Sequence, residues 1–560
     1  MKIIVYFLAL LSLFTLSSCT PEESDGGSGN GSDITIEKSY DETFSKNDLK
    51  TEYNEDECVK ITLSGDKIEC SSDAVTVNGT TATLTADTTY IISGELSDGM
   101  IAVRCADDAK PRIILDGVNI TSSTSAPIYV IEADKVFVTL AEGSNNLLQN
   151  GGEFINIDEN NIDSVIFSKA DLTINGNGGL KITSPAGHGI VSKDDLKITG
   201  GNFDISAASH GISANDGINI ASASFSITSG KDAIQAENDE DSSLGYVVIF
   251  SGSYDISASG DGISASSYIQ IDEGEYSITA GGGASGASSS SDTASTKGIK
   301  ASGSLAISGG KFAIDSADDA IHSNTSVKIA GGEFDISTGD DGMHADESLS
   351  IEDGKINITK SYEGLEALDI SISGGDITIV SSDDGINAAG GNDSSGFGGM
   401  RPGGDRFGPG GPGGASSSSN GSITISGGKI YMNASGDGID ANGSLTISGG
   451  HTTVCGPTSG DTSVLDYDNS ANITGGTFIG TGAYQMAQTF SDSSQGVLAL
   501  TVGTQSAGTS FTLTDSDGNT LIEGTPKLSY QILIVSTPDM VKGEEYTITV
   551  GELSGSFAAQ

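Results

Sequence analysis

The chain has 560 residues, with 76 Asp and Glu against 26 Lys and Arg, a formal net charge of −50. That balance argues against nucleic-acid binding and against adsorption to anionic lipid, since both need a basic surface. It leaves divalent cations open as partners, although acidity also keeps an extended protein in solution.

The chain begins with Lys2 and an apolar run over residues 3–16, short for a membrane span. Leu16-Ser17-Ser18-Cys19 follows, a small-residue site just before a cysteine. Residues 1–19 resemble a bacterial lipoprotein signal in which Cys19 is lipidated; an ordinary secretory signal is the alternative. Residues 20–33 are rich in Gly, Ser and acid and read as a flexible tether. The expectation is an exported protein whose only membrane attachment is that lipid, at the bacterial cell surface or outer membrane.

Residues 34–151 hold strand-like runs at irregular spacing, such as Ile113-Ile114-Leu115 and Val136-Phe137-Val138, and read as an N-terminal β cap with the first coils. Cys58 and Cys70 flank a hairpin-like stretch, which leaves a disulfide between them open. Together with Cys105 and Cys455 they have no spacing typical of zinc.

Residues 152–480 repeat about every 22 residues. Ile, Leu or Val alternates with polar residues, a Gly-Gly pair follows, and an Asp-Gly-Ile-x-Ala motif closes the unit, as in Asp340-Asp341-Gly342-Met343 and Asp383-Asp384-Gly385-Ile386. Period-two alternation with β-branched residues is strand. A unit this short cannot bury a core alone and has to stack on its copies. The pattern predicts an all-β fold, a right-handed parallel β-helix with coils about 4.8 Å apart. Insertions at residues 237–244, 281–296 and 390–421 are low-complexity and are expected to leave the stack from one rim. A column Phe203, Phe225, Tyr254, Tyr276, Phe312, Phe334, continued by Ile356, Ile377 and Ile430, shares parity with the core Ile two positions later. It reads as an internal ladder, not a sugar platform. Residues 481–560 lose the repeat and read as a C-terminal β cap, which a solenoid needs to cover its open end.

Stacking turns the acidic position into a file: His188, His210, Asp232, Asp261, Lys297, Asp319, Asp341, Glu363, Asp384, Asp437. Like charges at coil spacing repel by about 1 kcal/mol in water and several times that in a protein, which favours bound cations. Asp318, Asp340 and Asp383 stand one residue earlier, and His322, His344, Glu366, Asn387 and Asp440 form a row three residues later. In the triplet Met343-His344-Ala345, the flanking residues are expected to face in and His344 out. Clustered carboxylates at turns suit calcium, with Asp318, Asp319, Asp340, Asp341, Glu363, Asp383, Asp384, Asp437 and Asp440 as metal candidates. The competing reading is that each Asp makes only turn hydrogen bonds. Lys297 and Lys300, the cations of these rows, pair with neighbouring acids or contact a uronate; His344 and Glu366 are further ligand candidates.

The runs RIILDGVNITSSTSAPIYV (residues 112–130), LAEGSNN (140–146), IFSKADLTINGNGGLKI (166–182) and HGIVSKDDLKITGG (188–201), followed by the Asp-Gly-Ile repeats, resemble a family of bacterial exported carbohydrate-binding proteins with a calcium-binding parallel β-helix, of the clostridial cellulose- and pectin-binding type. The resemblance implies a fold similar to that of pectate lyases and binding of cellulose or polygalacturonate. The expectation is a monomeric, non-catalytic polysaccharide binder in which calcium joins the Asp file to uronate carboxylates. The alternatives are a calcium-dependent polysaccharide lyase with Lys297 as base, or a structural adhesin without a glycan ligand.

Overall fold

The computed structural model describes residues 38–286, 295–389, 420–460 and 462–560. The signal and Cys19, the tether, and residues 287–294 and 390–419 of two insertions lie outside the described residues. Among the described residues, helix is confined to Tyr40–Thr43 and a single 3-10 turn at Glu55–Glu57. Nearly all the strands join one 45-stranded, mostly parallel sheet.

The repeat sets its topology. Each unit contributes three short strands, and each strand pairs with its copy in the next unit. Leu305–Ile307 lies parallel to Ser326–Ile329, Lys311–Ser316 to Glu333–Thr338, and Ile321–Ser323 to Met343–Ile351. Three ladders therefore run side by side, with identical positions opposite one another. Phe312 faces Phe334, which faces Ile356, then Ile377, then Ile430. The aromatic rings of the column stack at 4.5 to 5.2 Å between centroids, and all six are buried. The regular aromatics are spent on the core, as their parity required.

Glycine is fixed by backbone conformation at one position and by contact with the adjacent coil at another. Gly332, second of its pair, has φ of +109°, a region that side chains disfavour. A Cβ on Gly342, in the Asp-Gly step, would fall 2.5 Å from the Gly364 carbonyl oxygen of the next coil.

The insertions leave the pairing unshifted, but they do not share a rim. Residues 237–244 and 390–421 both fall between a third-ladder strand (Ile234–Ala236, Ile386–Ala388) and a first-ladder strand (Tyr246–Ile249, Ser422–Ile425). Residues 281–296 fall between the second and third ladders, after Glu275–Ala280 and before Ile299–Ala301. The expectation of one rim is thus corrected to two corners. Each insertion enters where a turn already exists, and a coil has more than one.

At the C-terminal end the parallel pairing gives way to antiparallel strands. Tyr530–Ser536 lies between Ser470–Gly482 and Val497–Gln505. A separate four-stranded antiparallel sheet (Phe511–Thr514, Thr520–Gly524, Glu545–Val550, Leu553–Ala558) packs Phe511, Leu513 and Ile548 into a second core shared with Ile479, Leu533 and Val535 of the large sheet. Near the other end, Val59–Gly65 and Lys67–Glu69 form the hairpin between the cysteines. Thr62 opposes Glu69, so Cys70 falls opposite Ile61 and not Cys58; both thiols are free.

Residues 38–50 were read with the N-terminal cap, but they run alongside the ladders. Lys38 exchanges backbone hydrogen bonds with the Gln270 side chain at 2.9 and 3.0 Å, and its ammonium lies 3.4 Å from the Tyr246 ring centroid. At the other end of this strap Arg112 donates to the Asn47 and Lys50 carbonyls, and buried Asp48 pairs with Lys135 at 2.8 Å.

Candidate functional site

The acidic file forms because third-ladder strands such as Ile321–Ser323 and Ile386–Ala388 each begin just after an Asp-Gly or Asp-Ala step. The file is first of all a hydrogen-bond ladder. Asp232 accepts from the Asp261 amide (2.8 Å), Asp261 from Lys297 (2.7 Å), Asp319 from Asp341 (3.0 Å), Asp341 from Glu363 (3.1 Å) and Asp384 from Asp437 (2.5 Å). Each side chain therefore caps the same position one coil on, not its own turn. One carboxylate oxygen is used this way, and the second is left for other work.

The candidates gather into separate groups. Asp384, Asp437 and Asp440 bring carboxylate oxygens within 4.8 Å of one another, as do Asp318, Asp319 and Asp340. Burial raises Asp384 to about 8, Asp437 to about 7 and Asp440 to about 6, and neighbouring carboxylates push the same way: Asp383 and Asp437 on Asp384, and Asp466 on Asp440. Among the described residues, no Lys, Arg or His ion pair to this group is found. Glu363 is buried and raised to about 9, first by desolvation and then by Glu366, and it accepts from Asn387 at 2.9 Å. Glu363 and Asp383 join none of the compact groups of three.

Lys297 breaks the file by supplying its own cation. Its ammonium sits 2.8 Å from Asp318 and 2.7 Å from Asp319. Burial alone would lower Lys297, but the two carboxylates outweigh it and hold the ammonium well above the ordinary lysine range. Asp319, which burial would raise, is held well below the carboxylate range by Lys297 and His322. Lys300 lies 3.8 Å from Asp261. It lines a polar cleft of about 430 Å³ with His210, Lys231, Asp232 and Gln235.

His344 does not face solvent. It alternates with Met343 and Ala345 as expected, yet is 1% exposed. Its ring stacks on His322 at 4.9 Å between centroids. Nδ1 lies 2.8 Å from Glu366 and 3.4 Å from Asp341, and Nε2 lies 3.1 Å from Asp346. Two ligand-spaced groups follow, Asp319–His322–His344 and Asp341–His344–Glu366, all buried. The 22-residue register of His322 and His344 was visible in the sequence, but their burial beside the acid file was not. Asp346 carries no repeat signal and was missed. At the head of the file, His188 and His210 also stack, at 5.1 Å. Burial lowers His210 to about 3.

Residues 78–342 match the model of a family described as carbohydrate-binding domain-containing protein. A carbohydrate-binding domain-containing protein of Acetivibrio thermocellus is 38% identical over 149 residues, which are 26% of this chain and 52% of the relative. The match thus covers about half the length of that curated relative. A solved polysaccharide lyase-like protein from C. thermocellum, a gadolinium derivative, is 29% identical over 52% of this chain and 96% of its own, with a TM-score of 0.37. The similarity to carbohydrate-binding domain proteins is thus carried by residues 78–342, and Glu363, Asp384, Asp437 and Asp440 lie beyond it.

Proposed function

We propose that this chain is a non-catalytic polysaccharide-binding protein built on a right-handed parallel β-helix with β caps, dependent on calcium, and held at the bacterial surface through lipidated Cys19. The observation that carries the reading is the match of residues 78–342 to a carbohydrate-binding family. Acidic plant cell-wall glycans such as polygalacturonate, together with cellulose, are the proposed ligands. Asp384, Asp437 and Asp440 offer a donor set of oxygens alone, with carboxylates raised by burial and by one another, and this fits calcium. Bound there, calcium would supply the positive charge through which an acidic protein grips a uronate. The cleft at Lys231 and Lys300 offers two further cations for sugar carboxylates.

The lyase alternative needs a base that is neutral near the working pH. Lys297 is poorly suited, because Asp318 and Asp319 hold its proton. A glycan array probed with and without chelator tests the binding reading. Retention of polygalacturonate in calcium, lost on chelation and lost in the double variant Asp384→Asn with Asp437→Asn, is the expected result; retention indifferent to both would sink the calcium dependence. Incubation with polygalacturonate and calcium should give no rise in unsaturated-product absorbance. A rise abolished by Lys297→Met would establish the lyase instead.

A further inference from the structure

The row containing His322 and His344 differs in chemistry from the oxygen-only cluster near Asp384. Asp319, Asp340, Asp341, Glu363 and Glu366 are all at most 5% exposed. Lys297 is already committed to the Asp318 and Asp319 side. On the other side, Asp341 keeps one oxygen in the inter-coil ladder, bonded to the Glu363 amide. Its second oxygen, Oδ2, is buried and accepts no hydrogen bond; the nearest donor is His344 Nδ1 at 3.4 Å, which lies closer to Glu366 at 2.8 Å. A carboxylate oxygen at zero exposure with no hydrogen bond is costly, and the His344 ring at 3.4 Å is the cation closest to it among the ion pairs of the described residues.

The geometry points to a transition-metal site of the zinc class, with Asp341, His344 Nδ1 and Glu366 as its protein ligands. Their ligand atoms lie within 4.8 Å of one another. Two carboxylates and one imidazole are a donor set that zinc accepts, whereas calcium takes oxygen alone. Asp346 lies 3.1 Å from Nε2. Without a metal, burial would lower His344, but Asp341 and Glu366 outweigh it and hold the ring protonated, raised to about 12. A metal would displace the Nδ1 proton while Asp346 keeps the one on Nε2. The stacked His322 ring limits rotation of His344 from one side. Three protein ligands leave a fourth position for water. This site is distinct from the proposed calcium group in residues, donor atoms and metal class.

The test uses the full chain, stripped with chelator and titrated with zinc chloride in excess calcium chloride by calorimetry. One equivalent of zinc should bind in the presence of calcium. Affinity should fall by roughly 10- to 100-fold in Asp346→Asn, as for loss of an outer-sphere partner, and further in His344→Gln. Cobalt on the unaltered chain should give the intense visible bands of a four-coordinate ion, a readout independent of whether a variant folds. Absence of saturable zinc binding, displacement of zinc by calcium, a weak six-coordinate cobalt spectrum, or equal affinity in both folded variants would each overturn the assignment. A protonated His344 acting as the only counter-charge to Asp341 predicts the first of these. Loss of glycan binding in Asp384→Asn with zinc binding intact would leave this site standing apart from the calcium reading.

Discussion

At the scale of single residues, the acidic file divides its labour between two oxygens. One caps the next coil's amide, which makes the Asp a structural element in every copy, Asp261 included. The other is free to meet a cation, and the neighbours decide which. Beside Asp319 the cation is Lys297 itself. Asp48 is a simpler instance. Burial would raise its carboxyl, but hydrogen bonds from Lys135, Ser45 and Thr173 bring it down to about 2. A depressed carboxyl adds stability that is full above its unfolded value of 3.8 and lost as pH falls through about 2. Asp48→Asn should therefore cost about 2 kcal/mol at neutral pH. In denaturant titrations the gap to the parent should narrow below pH 3.8 and close near pH 2; a gap that persists unchanged at the lowest pH would refute the ionic account.

At the scale of elements, the strands are short, and their stability comes from cross-coil stacking more than from length. Phe312 stacks between Tyr276 at 4.5 Å and Phe334 at 4.7 Å and is 3% exposed. Phe312→Ala should lower unfolding free energy by roughly 3–5 kcal/mol, the range for emptying a packed aromatic site, and Phe312→Leu by clearly less. Thermal melts of the two variants would separate loss of ring volume from loss of the row, since equal losses would contradict a packing origin. Gly342→Ala should also destabilise, because its Cβ would meet the Gly364 carbonyl oxygen at 2.5 Å and the coils would have to part. The strap at residues 38–50 adds side-chain ties across several coils, from Arg112 to Gln270.

For the whole molecule, a formal charge of −50 is a standing repulsion. Salt screens it over about 10 Å at moderate ionic strength. Sodium chloride should therefore raise the melting temperature modestly. Millimolar calcium at matched ionic strength should raise it further, with the extra rise removed in Asp384→Asn with Asp437→Asn. Scanning calorimetry decides the matter: equal shifts from the two salts would reduce calcium to a counter-ion.

Much of this was legible in the sequence because the repeat makes each inference many times over. Period-two alternation placed Ile336, Ile358 and the Phe column inside, and a common spacing put Asp319, Asp341 and Glu363 in one file with Lys297 as its break. Those are consequences of local geometry, since a parallel ladder sets identical positions opposite one another. What depended on contacts far apart in the chain was not legible. Thr173 donates to Asp48 across 125 residues, and no periodicity encodes that. Nor could alternation distinguish an outward side chain in solvent from one such as His344, covered by its neighbours. Sequence alone determined which residues share a row; only the tertiary structure decided which rows are buried, which acids already have a cation, and where a carboxylate oxygen stands without a donor, because burial and pairing depend on everything packed around a residue and not on its place in the repeat.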